Sequence, residues 1–460
     1  MAEQQLPSAF VARMQEQLRE EYEQFIEALQ ADRVISLRIN PTKTTSQFDE
    51  QEFVPWCKEG RYLPERPTFV KDPLIFAGAY YVQEASSMFV SKVMRQVLDL
   101  ERPLKVLDLC AAPGGKSTLI SSLLTEDSLL ISNELVSKRV VPLVENLERW
   151  GNANTIVTSN SAEDFSPLKH FFDVAVVDAP CSGEGMFRKD PKAIQLWSEH
   201  LVNMCAVRQQ QILEDIAPAI KPGGYLIYST CTFAPQENEA HMRWLLASGE
   251  FEPVDIDIEA SWGITTTQVA HEGKQATGYR FYFHKSKGEG FFLTCFRKKG
   301  EDWGRTKIKS KKRVKVEFLP KKYRSIIEKW LEEPEKFDFL IDDDQVYALP
   351  KSMVTDFKFL INFLKLKKYG VQLGKFNGKK LIPSHTLAMS QLLPKGFPKL
   401  ELTYGEAILY LRKQELKTAT QQLSGWALAQ YQGHTLGWLK VLPNRINNFY
   451  PMELRLRKEF

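Results

Sequence analysis

Residues 104–118 decide the fold, and they read LKVLDLCAAPGGKST. The first six residues are mostly apolar and predict a strand, which a loop with two adjacent glycines follows. The next apolar residues recur at helical spacing and predict a helix: Leu119, Ile120, Leu123 and Leu124. In sheets built from such units, ligands bind beyond the carboxyl ends of the strands. The sequence therefore predicts a ligand site at this loop.

Further short apolar runs alternate with helical segments downstream, at 129–132, 155–158, 174–177 and 225–229. Strands that alternate with helices form right-handed crossovers, which give a mostly parallel sheet with helices on both faces. A helical pattern from Tyr80 precedes the sheet, and a helical pattern over 10–29 is followed by a strand pattern over 34–39. The predicted fold class is α/β, with a Rossmann-like core preceded by a small α/β domain.

The composition predicts a multidomain protein without a membrane span. A chain of 460 residues exceeds what one hydrophobic core supports, so two to four folding units are expected. No run approaches 18 consecutive apolar residues, and the first 17 residues lack the basic start and apolar core of a signal peptide, which predicts a cytoplasmic protein. Six cysteines without a CxxC pair disfavour structural zinc and disulfides, and predict free thiols and no metal.

Charge is distributed unevenly along the chain. Residues 1–300 contain 31 Lys and Arg against 40 Asp and Glu, whereas residues 301–460 contain 30 against 17. A basic module beside an acidic one is common in enzymes that act on polyanions, although a solvated basic surface is the simpler alternative. The asymmetry favours a nucleic acid as the partner.

The loop after the first strand predicts a cofactor site. Gly114 and Gly115 allow a ligand to approach the backbone closely, and free amides at the helix start favour a carboxylate. A phosphate-binding loop would need glycine at position 110, which is Cys110, and a G-x-G-x-x-G pattern is absent. A purely structural turn remains an alternative. Glu134 ends the next strand, twenty positions after Gly114, where a carboxylate can accept both ribose hydroxyls; a helix cap or a solvated carboxylate is the alternative.

Two cysteines follow two neighbouring predicted strands. Cys181 comes after Asp178-Ala-Pro, and Cys231 lies between Thr230 and Thr232. Carbon 5 of cytosine is too weak a nucleophile to take a methyl group directly, whereas a thiolate that adds to carbon 6 activates it. Asp178 is a candidate for a hydrogen bond to ring N3, and a second thiolate can remove the proton from carbon 5. An inert buried cysteine is the alternative for each thiol.

Three motifs carry a resemblance to a known family: 107–116, 178–189, and 228–233 with 236–239. Together they resemble the Sun-type RNA cytosine-5 methyltransferases. The resemblance extends to 81–87, His284 and 288–290. Gly425-Trp426, Gly437-Trp438 and Tyr450-Pro451 near the C-terminus resemble the appended RNA-binding domain of the RsmF branch, whose substrate is cytidine in small-subunit (16S) ribosomal RNA.

The resemblance implies a role for each motif residue. Cys231 would be the nucleophile, Cys181 would assist product release, and Asp178 would lie near the base and the methyl group. Glu134 and one loop would hold S-adenosylmethionine; the loop residues are Cys110, Ala111, Ala112, Pro113, Gly114, Gly115 and Lys116. Many relatives have an aspartate near the adenine after the third strand, and Ser161 occupies that place here.

The resemblance also implies a domain order and a partner. We expect an RRM-like N-terminal α/β domain (1–76), a methyltransferase core (77–300), a basic linker and helical subdomain (301–375), and a PUA-like RNA-binding domain (376–460). The expected partner is ribosomal RNA or the small ribosomal subunit, bound by a monomer, with the target base unpaired or flipped out. Trp426 and Trp438 are more plausible as core residues than as base-stacking residues. A non-catalytic RNA-binding factor and a DNA cytosine methyltransferase are the alternatives.

Overall fold

The computed structural model describes residues 6–301, 314–378, 380–392, 396–417 and 423–457. Most of the basic segment 298–315, which the sequence predicts as a linker, lies outside these residues. The described residues form one ten-stranded sheet and three four-stranded sheets. Within the described ranges, no helix is both long and apolar enough to cross a bilayer.

The N-terminal unit combines three helices with a four-stranded antiparallel sheet. The helices are α1 (Ser8–Leu18), α2 (Tyr22–Gln30) and α3 (Pro73–Ala77). The strands are β1 (Ile35–Ile39), β2 (Phe53–Val54), β3 (Cys57–Leu63) and β4 (Tyr80–Tyr81), in the order β2-β3-β1-β4. The apolar faces of α1 and α2 pack on the central unit rather than on this sheet, against Phe187, Trp197, Phe233, Tyr282 and Phe283.

The central unit contains the ten-stranded sheet. Its first strands and helices are α4 (Phe89–Val97), β5 (Lys105–Asp108), α5 (Gly115–Ser121), β6 (Leu129–Asn133), α6 (Ser137–Trp150), β7 (Thr155–Thr158) and β8 (Phe172–Asp178). They are followed by α7 (Pro191–Leu196), α8 (Glu199–Ile216), β9 (Ile220–Thr230), α9 (Glu239–Ala247), β10 (Phe251–Pro253), β11 (Thr265–His271), β12 (Lys274–Phe281) and β13 (Phe291–Lys298).

The central strands are parallel, in the order β9-β8-β5-β6-β7, which confirms the predicted α/β core. β5, β6, β7 and β8 are buried along most of their length, as strands covered by helices on both faces must be, and β9 is buried over its last five residues. β13 pairs antiparallel to β9 and extends the sheet on that side through β12 and β11. The helix predicted from Tyr80 begins only at Phe89, because Tyr80 and Tyr81 pair with β1.

The segment 301–375, predicted as a basic linker and helical subdomain, contains strands as well as helices in its described part. After α10 (Lys321–Glu328) come β14 (Phe337–Asp342), β15 (Gln345–Pro350), α11 (Val354–Leu360), β16 (Leu366–Tyr369), β17 (Val371–Asn377) and β18 (Lys380–Pro383). Four of these strands form a sheet of order β14-β15-β17-β18, which crosses the predicted boundary at 375. β16 instead pairs with β7 and becomes the edge of the central sheet.

The C-terminal unit is a four-stranded sheet with two short helices. The helices are α12 (His385–Met389) and α13 (Tyr404–Leu411), and the strands are β19 (Lys399–Glu401), β20 (Gly425–Tyr431), β21 (His434–Leu442) and β22 (Arg445–Asn448). Trp438 is buried and donates from its indole nitrogen to Ser384 O at 2.6 Å, while Trp426 packs edge-on against it. The prediction of a core residue is confirmed for Trp438, whereas Trp426 is only partly buried against the same cluster.

Candidate active site

The loop between β5 and α5 is held in place by α6. Arg139 donates from Nη2 to Ala112 O at 2.8 Å, and Asn146 donates from Nδ2 to Pro113 O at 2.9 Å. Gly114 has φ +114°, and a Cβ there would lie 3.3 Å from a side-chain carbon of α6. Position 114 therefore requires glycine for its backbone conformation and for its close contact with this helix.

A cavity of about 1020 Å³ opens beside this loop. Three of the predicted cofactor residues, Cys110, Glu134 and Ser161, line it, and α8 forms another part of its wall. Large apolar side chains of the wall are exposed, including Leu135 at 64% and Val207 at 73%. Exposed apolar side chains around a cavity of this size mark a ligand site, and an acidic group beside them suits a nucleoside.

Glu134 both lines this cavity and supports the start of α6. Its carboxylate accepts from Val136 N at 2.8 Å and lies 3.4 Å from Nη1 of Arg139. The helix-capping alternative raised by the sequence is thus realised in part, because Val136 is the residue that precedes α6. The same carboxylate lines the cavity together with Cys110.

Ser161 lies after β7 and is held by an acidic residue further along the chain. The Asp164 carboxylate accepts from Ser161 N and from Asn160 Nδ2, both at 3.0 Å. Burial acts to raise the pKa of Asp164, but these hydrogen bonds outweigh it, so the pKa lies below its ordinary value. An ionised carboxylate is therefore present near the predicted adenine position, although the sequence prediction named only Ser161.

Asn133 fixes the ends of the strands that surround the cavity. Its Nδ2 donates to Leu109 O and to Asn160 O, both at 3.0 Å. Its Oδ1 accepts from Thr158 Oγ1 at 2.8 Å and from Asn160 N at 3.0 Å. The ends of β5, β6 and β7 are thus joined by one buried side chain, which the sequence prediction did not identify.

Asp178 and Lys116 form an ion pair at the end of β8. Lys116 Nζ lies 2.9 Å from Oδ2 of Asp178, and Ser229 Oγ donates to Oδ1 at 2.8 Å. Burial acts to lower the pKa of Lys116, but the Asp178 charge outweighs it and the pKa is raised. Of the loop residues predicted to hold the cofactor, Cys110 lines the cavity and residues 111–116 do not, and the Lys116 ammonium pairs with the predicted catalytic carboxylate.

The two predicted catalytic thiols are adjacent. Cys181 Sγ lies 3.1 Å from Cys231 Sγ and accepts from Cys231 N at 3.3 Å. The pKa of Cys181 is well above its ordinary value, first because of its hydrogen bond with Cys231 and then because of burial. Cys181 therefore keeps its proton at neutral pH and can donate it to the sulfur of Cys231.

The other cysteines have no comparable partner among the described residues. Burial raises the pKa of Cys110, Cys205 and Cys295, for Cys205 to about 11, and Cys57 is also buried with a raised pKa. All six cysteines are free thiols. Within the described ranges, no three His, Cys, Asp or Glu side chains are grouped so that they could hold a metal ion.

The parallel central strands and the cavity beside their carboxyl ends define a Rossmann-like fold with a nucleoside-type site, and comparison with known proteins identifies the class as methyltransferase. Family models match three segments: 16S rRNA methyltransferase RsmB/F (95–297), the N-terminal domain of 16S rRNA methyltransferase RsmF (6–85) and the methyltransferase RsmF PUA domain (397–456). The chain belongs to the ribosomal RNA small subunit methyltransferase F family.

Relatives of that name match over almost the whole length. The Aliivibrio fischeri protein is 31% identical, with 98% of this chain and 97% of the relative covered. The Salmonella newport protein is 30% identical, covering 97% and 96%. A solved methyltransferase homologue from Pyrococcus horikoshii is 27% identical, covers 64% of this chain and 96% of its own, and has a TM-score of 0.54. NSun6 from the same organism, solved with SFG, shares the fold at 20% identity and a TM-score of 0.52, covering 64% and 99%.

Proposed function

We propose that this enzyme methylates carbon 5 of a cytidine in 16S ribosomal RNA, in the cytoplasm, with S-adenosylmethionine as the methyl donor. The observation that carries the proposal is the pair of thiols 3.1 Å apart, at the same sheet edge as the cofactor-type cavity. The names of the relatives supply the substrate class. Two thiols suit this chemistry because one can attack carbon 6 while the other later accepts a proton.

The residues of the cavity fit S-adenosylmethionine, which would supply a methyl group on a positively charged sulfur. The loop from Cys110 to Gly115, which reaches the cavity wall at Cys110, would hold the methionine part near the start of α5. The Glu134 carboxylate would accept the ribose hydroxyls, and Leu135 and Val207 would pack on the adenine. In this assignment the bound cofactor would cover the exposed apolar side chains of the cavity.

The Cys231 thiolate adds to carbon 6 of the cytosine. The new S–C6 bond moves the electrons of the C5–C6 double bond toward carbon 5, which can then attack the methyl group. A hydrogen bond to ring N3 assists the addition. Lys116 Nζ and Asp178 Oδ2 are 2.9 Å apart and share a proton of the ammonium group. We assign the hydrogen bond to ring N3 to this pair. Lys116 thereby acts beside the base, a role that differs from the cofactor contact expected from its motif.

Cys181 acts after the methyl group has been transferred. While Cys231 is a thiolate, its hydrogen bond with Cys181 keeps Cys181 protonated. Once the Cys231 sulfur is bonded to carbon 6 it carries no charge, so the partly exposed Cys181 can lose its proton to solvent water and then take the proton from carbon 5. The C5–C6 double bond then forms again, the S–C6 bond breaks, and Cys231 leaves as a thiolate. One proton is released overall for each methyl group transferred.

The substrate class is tested by incubation with methyl-labelled cofactor and separate pools of small-subunit ribosomal RNA, transfer RNA and DNA. We expect label in the ribosomal RNA, and 5-methylcytidine after its digestion to nucleosides. Label in DNA alone would support a DNA cytosine methyltransferase instead. Absence of label from every pool, with RNA still bound, would support a non-catalytic RNA-binding factor.

A further inference from the structure

A buried carboxylate lies directly behind the two thiols. Glu237 follows β9, and its side chain is buried together with that of Gln209 from α8. Its Oε2 accepts from Ser182 N at 3.0 Å and from Gln209 Nε2 at 2.8 Å, and its Oε1 accepts from Ser182 Oγ. Burial raises the pKa of Glu237, and the hydrogen bonds from Ser182 and Gln209 act against that rise because they favour the charged form.

The hydrogen bonds of this carboxylate extend to both thiol loops. Gln209 Nε2 also donates to Pro180 O at 2.9 Å, so both chain neighbours of Cys181, Pro180 and Ser182, are held by one network. Ser182 Oγ lies 2.9 Å from Oγ1 of Thr232, the residue that follows the other thiol. The network therefore connects the loop after β8 to the loop after β9, and the two sulfurs lie one on each loop.

The Glu237 carboxylate determines which hydroxyl donates and which accepts in this network. Because a carboxylate only accepts, the Ser182 hydroxyl donates to Glu237 and is left to accept from the Thr232 hydroxyl. Thr232 Oγ1 in turn accepts from Ala234 N at 3.2 Å. An amide in place of the carboxylate would reverse the Ser182–Thr232 bond, and the Thr232 hydroxyl proton would lose its acceptor.

We propose that Glu237 is a positioning residue, which holds the Cys181 and Cys231 loops so that the two sulfurs stay in contact. This proposal rests on the proposed function, since it concerns the same two thiols. The carboxylate also acts through its charge, because Glu237 contributes to the raised pKa of Cys181 after the hydrogen bond with Cys231 and burial. Glu237 thus helps to keep the proton on Cys181 while Cys231 reacts first.

The test compares three substitutions of similar size. Glu237→Gln keeps the shape and removes the charge, Glu237→Asp keeps the charge and shortens the side chain, and Glu214→Gln makes the same chemical change at an exposed position of α8. Each cofactor-free protein is treated with iodoacetamide across a pH series, and alkylation of Cys181 and Cys231 is measured separately by peptide mass spectrometry. This readout needs neither RNA nor methyl transfer.

In the unsubstituted protein we expect Cys231 to be alkylated before Cys181. In Glu237→Gln the alkylation midpoint of Cys181 should move to lower pH, because a negative charge that raises its pKa is removed, and the preference for alkylation of Cys231 should fall. Glu237→Asp should retain the original midpoint of Cys181, and Glu214→Gln should match the unsubstituted protein. An unchanged order and midpoint in Glu237→Gln would overturn the proposal.

Kinetics with RNA separate positioning from a general loss of structure. Glu237→Gln should lower kcat about tenfold while KM for RNA and the affinity for cofactor stay unchanged. If Glu237→Gln does not fold, Ser182→Ala removes the hydroxyl that joins Glu237 to Thr232, while the Ser182 backbone N can still donate to Glu237, and this variant should show the same split between kcat and KM. A Ser182→Ala enzyme with normal kcat would then reject the positioning role. If the unsubstituted enzyme forms no covalent bond with RNA, the proposed function fails, while the alkylation series still decides the role of Glu237.

Discussion

At the residue scale, the chemistry depends on side chains that reach one edge of the sheet from separate strands. Cys181 and Cys231 could be assigned to that edge from sequence, because each follows a predicted strand and parallel strands end together. The roles of Gln209 and Glu237 could not be assigned, although 236–239 was recognised as a motif. Their contacts depend on how α8 packs beneath the loops, which no local pattern encodes.

Removing the Glu134 carboxylate should weaken cofactor binding. Glu134→Ala deletes the acceptor proposed for the ribose hydroxyls, and hydrogen bonds to a charged group contribute about 1.5–3 kcal/mol. Calorimetry with S-adenosylmethionine measures the change, and Glu163→Ala, an exposed glutamate near the cavity, is the matched control. Because Glu134 also accepts from Val136 N, the Tm of the Glu134→Ala protein should fall slightly. Equal affinity in both variants would make Glu134 only a helix cap.

At the scale of whole elements, β16 is the strand of the central sheet beyond position 300 that the sequence did not predict. The parallel strands of the central sheet were predictable because they contain buried apolar runs, whereas β16 has the sequence LKKY and pairs with a strand more than 200 positions earlier. Its approach to β7 also supports the cavity: Lys365 N donates to Asn160 Oδ1 at 2.8 Å, and Ser159 N donates to Lys365 O at 3.0 Å. Residues beyond 300 are therefore part of the methyltransferase sheet.

Breaking the backbone contact before β16 should weaken cofactor binding at a distance. Lys365→Pro removes the amide hydrogen that Asn160 accepts, so the loop that carries Ser161 loses an anchor. We expect a lower affinity for S-adenosylmethionine in calorimetry, by about 1 kcal/mol, the usual contribution of one such hydrogen bond. Lys365→Ala keeps the amide and should bind as the unsubstituted protein does. The same affinity in the proline and alanine variants would show that β16 does not support the cavity.

At the scale of the whole molecule, Lys43 joins three units of the chain. Its ammonium donates to Ala77 O at 3.1 Å and to Arg149 O and Met389 O, both at 2.7 Å. These carbonyls belong to the end of α3, the last turn of α6 and the end of α12. Burial lowers the pKa of Lys43 to about 7, and the charge of Arg149 acts in the same direction. The N-terminal, central and C-terminal parts thus meet at one side chain.

Replacing Lys43 by methionine should destabilise the protein strongly. The apolar side chain fills a similar volume but leaves three carbonyls without their donor, and each unsatisfied buried group costs about 1–3 kcal/mol. The free energy of unfolding, measured in urea, should fall by about 3 kcal/mol or more. Lys58→Met, at a side chain that is 72% exposed, is the control and should change little. A Lys43→Met protein as stable as the control would contradict the claim that Lys43 holds the three parts of the chain together.

The basic C-terminal third should set the salt dependence of RNA binding. Exposed Lys399, Arg445 and Arg455 lie on or beside the sheet of β19 to β22. Replacing all three with glutamine should make the slope of log Kd against log salt shallower, by about 0.7–0.9 for each RNA phosphate that is no longer neutralised. Lys58, Arg66 and Lys274, three exposed basic residues before position 300, provide the control set. Equal slopes for the two triple variants would reject this surface as the RNA-binding face.

The central claim, that Cys231 attacks and Cys181 releases, is tested most directly by denaturing electrophoresis of each thiol variant after incubation with RNA and cofactor. A thioether survives denaturation, whereas a tight non-covalent complex does not. We predict that Cys181→Ala still bonds to carbon 6 and transfers the methyl group but accumulates as a protein–RNA adduct, and that Cys231→Ala forms no adduct while binding cofactor normally. An adduct seen only with Cys231→Ala would assign the attack to Cys181, and normal turnover by Cys181→Ala without an adduct would remove its role in release.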